Sequence, residues 1–390
     1  MKLCFILVTR NRVDLAIATL RSLLTQDGDT PFDVVLSDNS ESPEDTRKLE
    51  EHCRALADPR VIYIRPQKPM PMCPHWEWAI EQAMQLSDAT HFGVQYDRKL
   101  WRPGELRPFA AACAVDPRAT VAYACDVAFQ KPHGVEAWTI PVTEKLYEIR
   151  TRTIADLVSR GMLYELGNAY PLLANCMAPR ETMERVRARF GSICNSSTPD
   201  VVFTFRLCAL DESFLYLDRA SVIAFGYRFS NGFSYLRGDV SGAYGDWVKT
   251  WGDRPWLEAA PLPGLDLGLN ILFHEYALVQ REAGADRLPP IEREGYLNAI
   301  AKGLEWIDDR ARKEKMLRIL RDEGWREKGK PPLLFRIRRS INAALGRIPP
   351  PAPTFATDDE AVHYLLQPRP PAPHNPHLTM LDAIEVPFRA

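Results

Sequence analysis

LCFILVTRNR occupies residues 3–12, six apolar residues followed by a four-residue polar turn. A short, uniformly apolar run of β-favouring residues is typical of a strand that is covered on both faces, as in a parallel sheet. Apolar residues then recur at helical spacing from Leu15 to Leu24, and 32–36 returns to strand character before a polar run at 37–40. The chain therefore begins with a β, α, β unit.

The same alternation continues into the next part of the chain. Helices and strands are predicted in turn at 42–56, 61–64, 74–86 and 91–94. Strands that alternate with helices indicate an α/β fold with a doubly wound, mostly parallel sheet, whose ligands bind at the carboxyl ends of the strands. The polar segments 9–12, 38–40 and 95–97 all follow predicted strands. We therefore expect them to line one binding site.

The remainder of the chain is less regular. The sequence predicts strands within 120–149, helices from 154 to 205 around a strand at 172–177, a strand pair at 214–225, and helices from 265 to 322. Aromatic residues are dense between 225 and 256, where they favour either sugar stacking or simple packing about equally.

Three parts of the chain differ in composition. The prediction is a sheet domain at 1–230, an aromatic-rich and helical acceptor or packing region at 231–330, and a basic amphipathic helix with a proline-rich tail at 331–390. Proline clusters within that tail indicate extended, linker-like chain.

Composition and charge narrow the functional classes. The 390 residues are 46% hydrophobic and 26% charged, with a formal net charge of -2, so we expect no nucleic-acid partner. The eight cysteines are scattered without a C-x-x-C pair, which favours buried thiols in a reducing compartment. No stretch approaches the ~18 apolar residues that a membrane span requires. We expect a cytoplasmic protein, and a peripheral membrane contact stays open.

Two common nucleotide-binding loops are missing. A dinucleotide-binding fold would place G-x-G-x-x-G after the first strand, and a P-loop would show G-x-x-x-x-G-K-[ST]. The turn here is Thr-Arg-Asn-Arg at 9–12. A sugar nucleotidyltransferase would also need a glycine-rich, lysine-containing loop at this point.

The first two strand ends resemble those of family 2 glycosyltransferases of the GT-A fold, in the Thr-x-Asn-Arg turn at 9–12 and the Ser-Asp-Asn-Ser run at 37–40. The resemblance implies a GT-A-like fold with a helical C-terminal extension and a nucleotide-diphosphate-sugar donor. It assigns Thr9, Arg12 and Asp38 to the nucleotide. A carboxylate can accept hydrogens from ribose or base, although Asp38 could instead cap the following helix.

A third segment, MPMCPHWEWA at 70–79, resembles the place where the family opens a helix with Asn-Trp-Glu. His75 stands here in place of the asparagine. It could bond a phosphate or sugar hydroxyl of the donor, or it could cap and pack the helix.

Gln95-Tyr96-Asp97 aligns with the metal motif of the family, of which the last aspartate is present. The resemblance implies Mn²⁺ or Mg²⁺ on Asp97, with Gln95 able to add a neutral carbonyl. Alternatively, Arg98, Lys99 or Arg102 neutralises the diphosphate directly. Gln95 and Arg102 therefore join the donor-binding candidates.

A fifth segment, STPDVVFTFRL at 197–207, resembles the acidic motif that carries the catalytic base, with Asp200 in the place of the base. A carboxylate suits proton removal from an acceptor hydroxyl, whereas Thr-Pro-Asp is also an ordinary helix start. Downstream, His274 and Glu275 lie on a predicted helix and could add a ligand, or His274 could be a core or surface histidine.

Together these segments imply an inverting glycosyltransferase that acts on an acceptor hydroxyl of a glycan or lipid-linked glycan. The alternative is a catalytically silent nucleotide-sugar or glycan-binding module. Apolar and basic residues at 333–348 alternate at helical spacing. Such a helix could lie in an anionic membrane interface, or its apolar stripe could pack against the domain.

Overall fold

The structure is a computed structural model that describes residues 1–131, 133–226, 229–230, 257–265, 267–307, 309–326 and 352–388. Within these ranges twelve strands belong to one sheet: β1 (Leu3–Thr9), β2 (Phe32–Asp38), β3 (Val61–Ile64), β4 (His91–Tyr96), β5 (Lys99–Trp101), β6 (Val121–Lys131), β7 (Gly134–Trp138), β8 (Leu146–Arg150), β9 (Cys176–Pro179), β10 (Ser213–Ala224), β11 (Thr354–Phe355) and β12 (Ile384–Val386).

The described α-helices are α1 (Val13–Leu24), α2 (Pro43–Leu56), α3 (Met72–Leu86), α4 (Leu106–Val115), α5 (Thr151–Ser159), α6 (Arg180–Phe190), α7 (Pro199–Leu210), α8 (Gly268–Ala283), α9 (Arg293–Gly303), α10 (Arg310–Asp322), α11 (Asp358–Leu366) and α12 (Pro376–Met380). None of the described helices is long and apolar enough to cross a membrane.

The main path of the sheet has the strand order β12-β8-β10-β6-β9-β4-β1-β2-β3. β8 and β9 pair antiparallel with both of their neighbours, so the other seven of these nine strands run in one direction. The predicted mostly parallel α/β sheet is confirmed. A strand order that leaves β1 inside the sheet, between β4 and β2, also explains why every residue of β1 is buried.

Helices cover both faces of the sheet, as a doubly wound fold requires. Phe5 of β1 packs in a cluster with Leu20 of α1 on one face. Its neighbour Ile6 packs in a second cluster with Trp76 and Ile80 of α3 on the other face. Successive side chains of a strand point to opposite faces, and here both faces are apolar. This is the physical reason for the continuous apolar run at the start of the chain.

Strand register brings the first three strand ends together. Thr9 pairs with Asp38 across β1 and β2, and Val8 pairs with Tyr96 across β1 and β4. The backbone N–H of Asn39 donates to the carbonyl of Thr9 at 2.9 Å. The predicted meeting of the three polar segments at one edge is therefore confirmed.

Two strand predictions need correction. The predicted strand pair at 214–225 is the single strand β10, whose register against β6 shifts between Leu217 and Val222. Such an irregularity bends a strand without ending it. The strand predicted at 172–177 begins only at Cys176, after a 3-10 turn at Leu173–Asn175. Gly93 of β4 allows the close approach of β9, since a Cβ there would lie 2.4 Å from the carbonyl oxygen of Cys176.

The C-terminal part of the chain has a core of its own. Apolar residues of α8, α9 and α10 form a separate cluster that includes Phe273, Ile300 and Leu320. The predicted helical extension is thereby confirmed. The predicted amphipathic helix at 333–348 and the whole aromatic stretch at 231–256 lie outside the described residues.

The proline-rich tail packs on the sheet domain, although the sequence predicts linker-like chain there. β11 pairs with β7, and β12 pairs with β8. Between them, Arg369 donates to the Asp126 carboxylate, and the N–H of Ala372 donates to the carbonyl of Val142 at 2.7 Å. The prolines limit regular structure, but polar contacts hold this segment in place.

Candidate functional site

Residues 9–12, 38–40 and 95–97, at the ends of β1, β2 and β4, form the strand-end cluster. Asp97 bonds to two side chains of this cluster. Its Oδ2 accepts a hydrogen bond from the Thr9 hydroxyl at 2.8 Å, and its Oδ1 lies 3.3 Å from a guanidinium nitrogen of Arg12. The Asp97 side chain is 1% exposed, whereas that of Arg12 is 23% exposed. The turn after β1 thus covers Asp97 and places Arg12 toward the surface.

Asp38 is buried at the end of β2 and holds the loop that follows it. Its Oδ1 accepts from the N–H of Ser40, and its Oδ2 accepts from the Tyr63 hydroxyl, both at 2.9 Å. Burial, together with the adjacent Asp38 carboxylate, raises the pKa of Tyr63. The cap of α2 is Ser42, which accepts from the N–H of Asp45 at 3.2 Å. Asp38 is therefore not the helix cap.

Asn11 joins the loop after β1 to the loop after β2. Its φ of 55° is left-handed, a conformation that asparagine adopts more readily than most residues. Its N–H donates to the Ser40 hydroxyl at 2.9 Å, and its side-chain oxygen accepts from the N–H of Glu41 at 2.8 Å. Neither Asn11 nor Tyr63 is among the residues singled out from the sequence, and the asparagine of the T-x-N-R turn is the signal that could have found the first.

His75 points into the protein, beneath the end of β2. Its Nε2 lies 2.8 Å from the Ser37 hydroxyl, and its ring stacks on Trp78 with centroids 6.2 Å apart. Burial lowers the pKa of His75 to about 4, so the ring is neutral near pH 7. A neutral, 3% exposed histidine is a packing and hydrogen-bonding partner of β2.

Gln95 and Arg102 also turn toward protein partners. The Gln95 side-chain oxygen accepts from the indole N–H of Trp101 at 3.4 Å, and Gln95 is 1% exposed. Arg102 forms an ion pair with buried Asp126 at 2.5 Å, and Arg369 of the tail binds the same carboxylate. In the described part of the chain neither Gln95 nor Arg102 bonds to Asp97, so both belong to the framework around it.

Asp200 lies in the first turn of α7 and is partly buried. Its Oδ1 accepts from the N–H of Val201 at 3.0 Å. Burial raises the pKa of the Asp200 carboxyl, and the positive charge of Lys99 opposes that rise. A carboxylate with a raised pKa is better able to accept a proton near neutral pH.

Lys99 begins β5 directly after the Asp97 turn and points into the protein. It is 2% exposed, and its Nζ lies 4.7 Å from the centroid of the Tyr96 ring and donates to the carbonyl of Ala174. Burial lowers the pKa of Lys99, while the negative charge of Asp200 is among the interactions that raise it. The interaction with Asp200 thus favours the protonated form of Lys99, and burial opposes it.

Two carboxylates fix the loop that leads into α7. Glu77 of α3 accepts from the N–H of Cys194 at 2.7 Å, and Glu275 of α8 accepts from the N–H of Thr198 at 2.7 Å. Burial raises the pKa of Glu275, and its hydrogen bonds oppose that rise. The N-cap of α7 is Thr198, whose N–H is bound by Glu275, while Asp200 accepts from an N–H of the same first turn. The role of Glu77 depends on tertiary contacts that its sequence neighbours do not reveal.

His274 does not share the position of Glu275. Its Nδ1 accepts from the N–H of Ala259 at 3.2 Å, and burial lowers its pKa to about 4. This placement agrees with the alternative prediction that His274 is a core histidine.

The residues around Asp97 do not fit a divalent cation well. Both carboxylate oxygens are engaged by Thr9 and Arg12, and the guanidinium would repel a metal ion placed on the same carboxylate. Gln95 points elsewhere, and no cluster of three or more His, Cys, Asp or Glu side chains in the described ranges could hold a metal ion. Mn²⁺ and Mg²⁺ prefer several oxygen ligands. The metal therefore stays a prediction from the family resemblance.

No protein-family model and no curated protein matches this chain. Among solved structures, S. aureus TarS 1–349 is similar at 12% identity and a TM-score of 0.43, over 79% of this chain and 81% of that one. The same fragment in complex with UDP-GlcNAc is similar at 14% identity and a TM-score of 0.44, over 78% and 81% of the two chains. These values establish neither family nor function.

Proposed function

We propose that this protein is a glycosyltransferase that moves a sugar from a nucleotide-diphosphate sugar to an acceptor hydroxyl, with inversion at the anomeric carbon. One observation carries the proposal: the ends of three parallel strands meet in a polar cluster, and a partly buried carboxylate, Asp200, interacts electrostatically with Lys99, which begins β5 just after Asp97. Ligands of such sheets bind at this edge.

The donor nucleotide is proposed to lie on the loops that follow β1 and β2. Thr9 and Asp38 are 4% and 0% exposed, so in this proposal they position the loops from below. Asn11 and Arg12 are more exposed and present donor groups to the nucleotide. His75 supports the wall of the site through its contact with β2.

The reaction needs one base and one departing group. Asp200 takes the proton of the acceptor hydroxyl as that oxygen attacks the anomeric carbon. The new C–O bond forms while the bond to the diphosphate breaks on the opposite face, and its electron pair leaves with the nucleoside diphosphate. The proposed acceptor is a glycan or a lipid-linked glycan, and membrane contact through 333–348 stays a prediction.

A catalytically silent binding module is the second candidate. The observation that favours it is the engagement of both Asp97 oxygens by Thr9 and Arg12. Such a module would bind nucleotide sugars at the strand ends without turning them over. Turnover therefore separates the two candidates.

The test is a transfer and donor-hydrolysis assay over a panel of nucleotide-diphosphate sugars. We expect turnover by the wild type, a loss of about 10²–10⁴ in rate for Asp200→Asn, and donor binding nearly unchanged. Glu212→Gln is the matched control, because Glu212 is an exposed carboxylate just beyond the other end of α7. Wild-type rates in Asp200→Asn would refute the assignment of Asp200 as the base. Saturable donor binding without any turnover would favour the silent module.

A further inference from the structure

Arg12 and Asp97 form an ion pair in which the carboxylate is covered and the guanidinium is accessible. The Asp97 carboxylate is 1% exposed, and the Arg12 side chain above it is 23% exposed. A ligand that approaches this edge of the sheet therefore meets the guanidinium before it meets the carboxylate. This order is the reverse of what a metal-binding carboxylate requires.

Thr9 strengthens the arrangement. Its hydroxyl donates to Asp97 Oδ2 at 2.8 Å, which leaves Oδ1 directed at Arg12 at 3.3 Å. A carboxylate that is oriented by one donor holds its second partner in a restricted position. Asp97 can thus position Arg12 without any contact of its own with the ligand.

A second basic side chain, Lys99, begins β5 just after Asp97. Lys99 is 2% exposed, and among the described residues no carboxylate oxygen lies within 4.0 Å of its Nζ. In its protonated form this side chain would favour a bound anion over a cation at the turn.

We propose that a diphosphate binds at this turn through Arg12 without a divalent cation, with Asp97 as the residue that positions Arg12. The inference rests on the proposed function for the identity of the ligand, a nucleotide diphosphate. A guanidinium can form two parallel hydrogen bonds to phosphate oxygens, which an ammonium cannot. The diphosphate oxygens compete with Asp97 for Arg12.

The experiment measures binding of inorganic pyrophosphate and UDP by titration calorimetry, in excess EDTA and again with MgCl₂. We expect saturable binding in EDTA, weakened at least about tenfold by Arg12→Met and less by Arg12→Lys. Arg21→Met is the matched control, since Arg21 is an exposed arginine at the other end of the same helix. It should bind as the wild type does.

Asp97→Asn decides between the positioning role and a metal-ligand role. If Asp97 positions Arg12, the amide variant keeps binding in EDTA, because its side-chain oxygen can still accept from Arg12. If Asp97 holds a metal, binding requires MgCl₂ and the variant loses it, which would overturn the proposal. Arg12→Met gives a second test should Asp97→Asn fail to fold, because wild-type affinity in that variant would also overturn it.

The outcomes separate this inference from the proposed function. Pyrophosphate binding in EDTA without turnover of any nucleotide sugar would sink the transferase activity and leave the anion site standing. Turnover that depends strictly on Mg²⁺ or Mn²⁺ and on Asp97 would support the transferase activity and refute the metal-free anion site.

Discussion

His75 makes the stability of this protein depend on pH in a way that one substitution can isolate. Burial lowers the pKa of His75 from 6.5 to about 4. Between these values the unfolded chain binds a proton at this position and the folded protein does not. Stability is therefore full above pH 6.5 and falls as the pH drops toward 4. At about 1.36 kcal/mol per pH unit, the loss from this one histidine is about 3 kcal/mol.

The assay is urea unfolding at a series of pH values between 7 and 4 for the wild type and His75→Asn. The asparagine can still bond the Ser37 hydroxyl but cannot take up the proton, so its stability should fall less steeply. His91 and His274, whose pKa values burial also lowers to about 4, contribute equally to both proteins and cancel in the comparison. Ser37→Ala is the control that keeps the buried ring and should keep the wild-type slope. Parallel pH profiles for wild type and His75→Asn would refute the reasoning.

Two further predictions concern the framework around the site. Gly93→Ala places a Cβ within 2.4 Å of the Cys176 carbonyl oxygen, so β4 and β9 must move apart and stability should fall by about 1–3 kcal/mol in urea unfolding; an unchanged midpoint would contradict this close approach. Arg369→Met removes one of two guanidinium partners of buried Asp126 and should cost about 1 kcal/mol and speed proteolytic release of 352–388, with Arg369→Lys less affected. Equal cleavage rates in both variants and the wild type would show that the pair does not hold the tail.

The sheet and its binding edge could be predicted because the evidence for them is local. The apolar run before Thr9 has no alternation, which already indicates burial on both faces. The helices and strands that follow have their own periodicity, so strand direction and the meeting of Asp38 with Thr9 and Asp97 follow from the general rule for such sheets. The start of α7 before Asp200 was visible in the same way, from Thr198 and Pro199.

Contacts between distant segments could not be predicted. Tyr63 reaches Asp38 only because β3 pairs with β2 in one particular register, and Glu77 reaches the loop before α7 across 117 residues. The sequence predicts Arg102 as a diphosphate ligand, but in the structure Arg102 pairs with Asp126, which Arg369 of the tail also binds. Periodicity and turn chemistry carry no information about such partners. The direction of a charged side chain depends on them.

A crystal structure with a bound nucleotide would locate the ligand directly. The expected result is a nucleoside diphosphate on the loops after β1 and β2, with its diphosphate beside the Arg12 guanidinium and its sugar-bearing end toward Asp200. A nucleotide bound elsewhere on the molecule would contradict the strand-end site, as would the absence of nucleotide at concentrations that saturate the protein in solution.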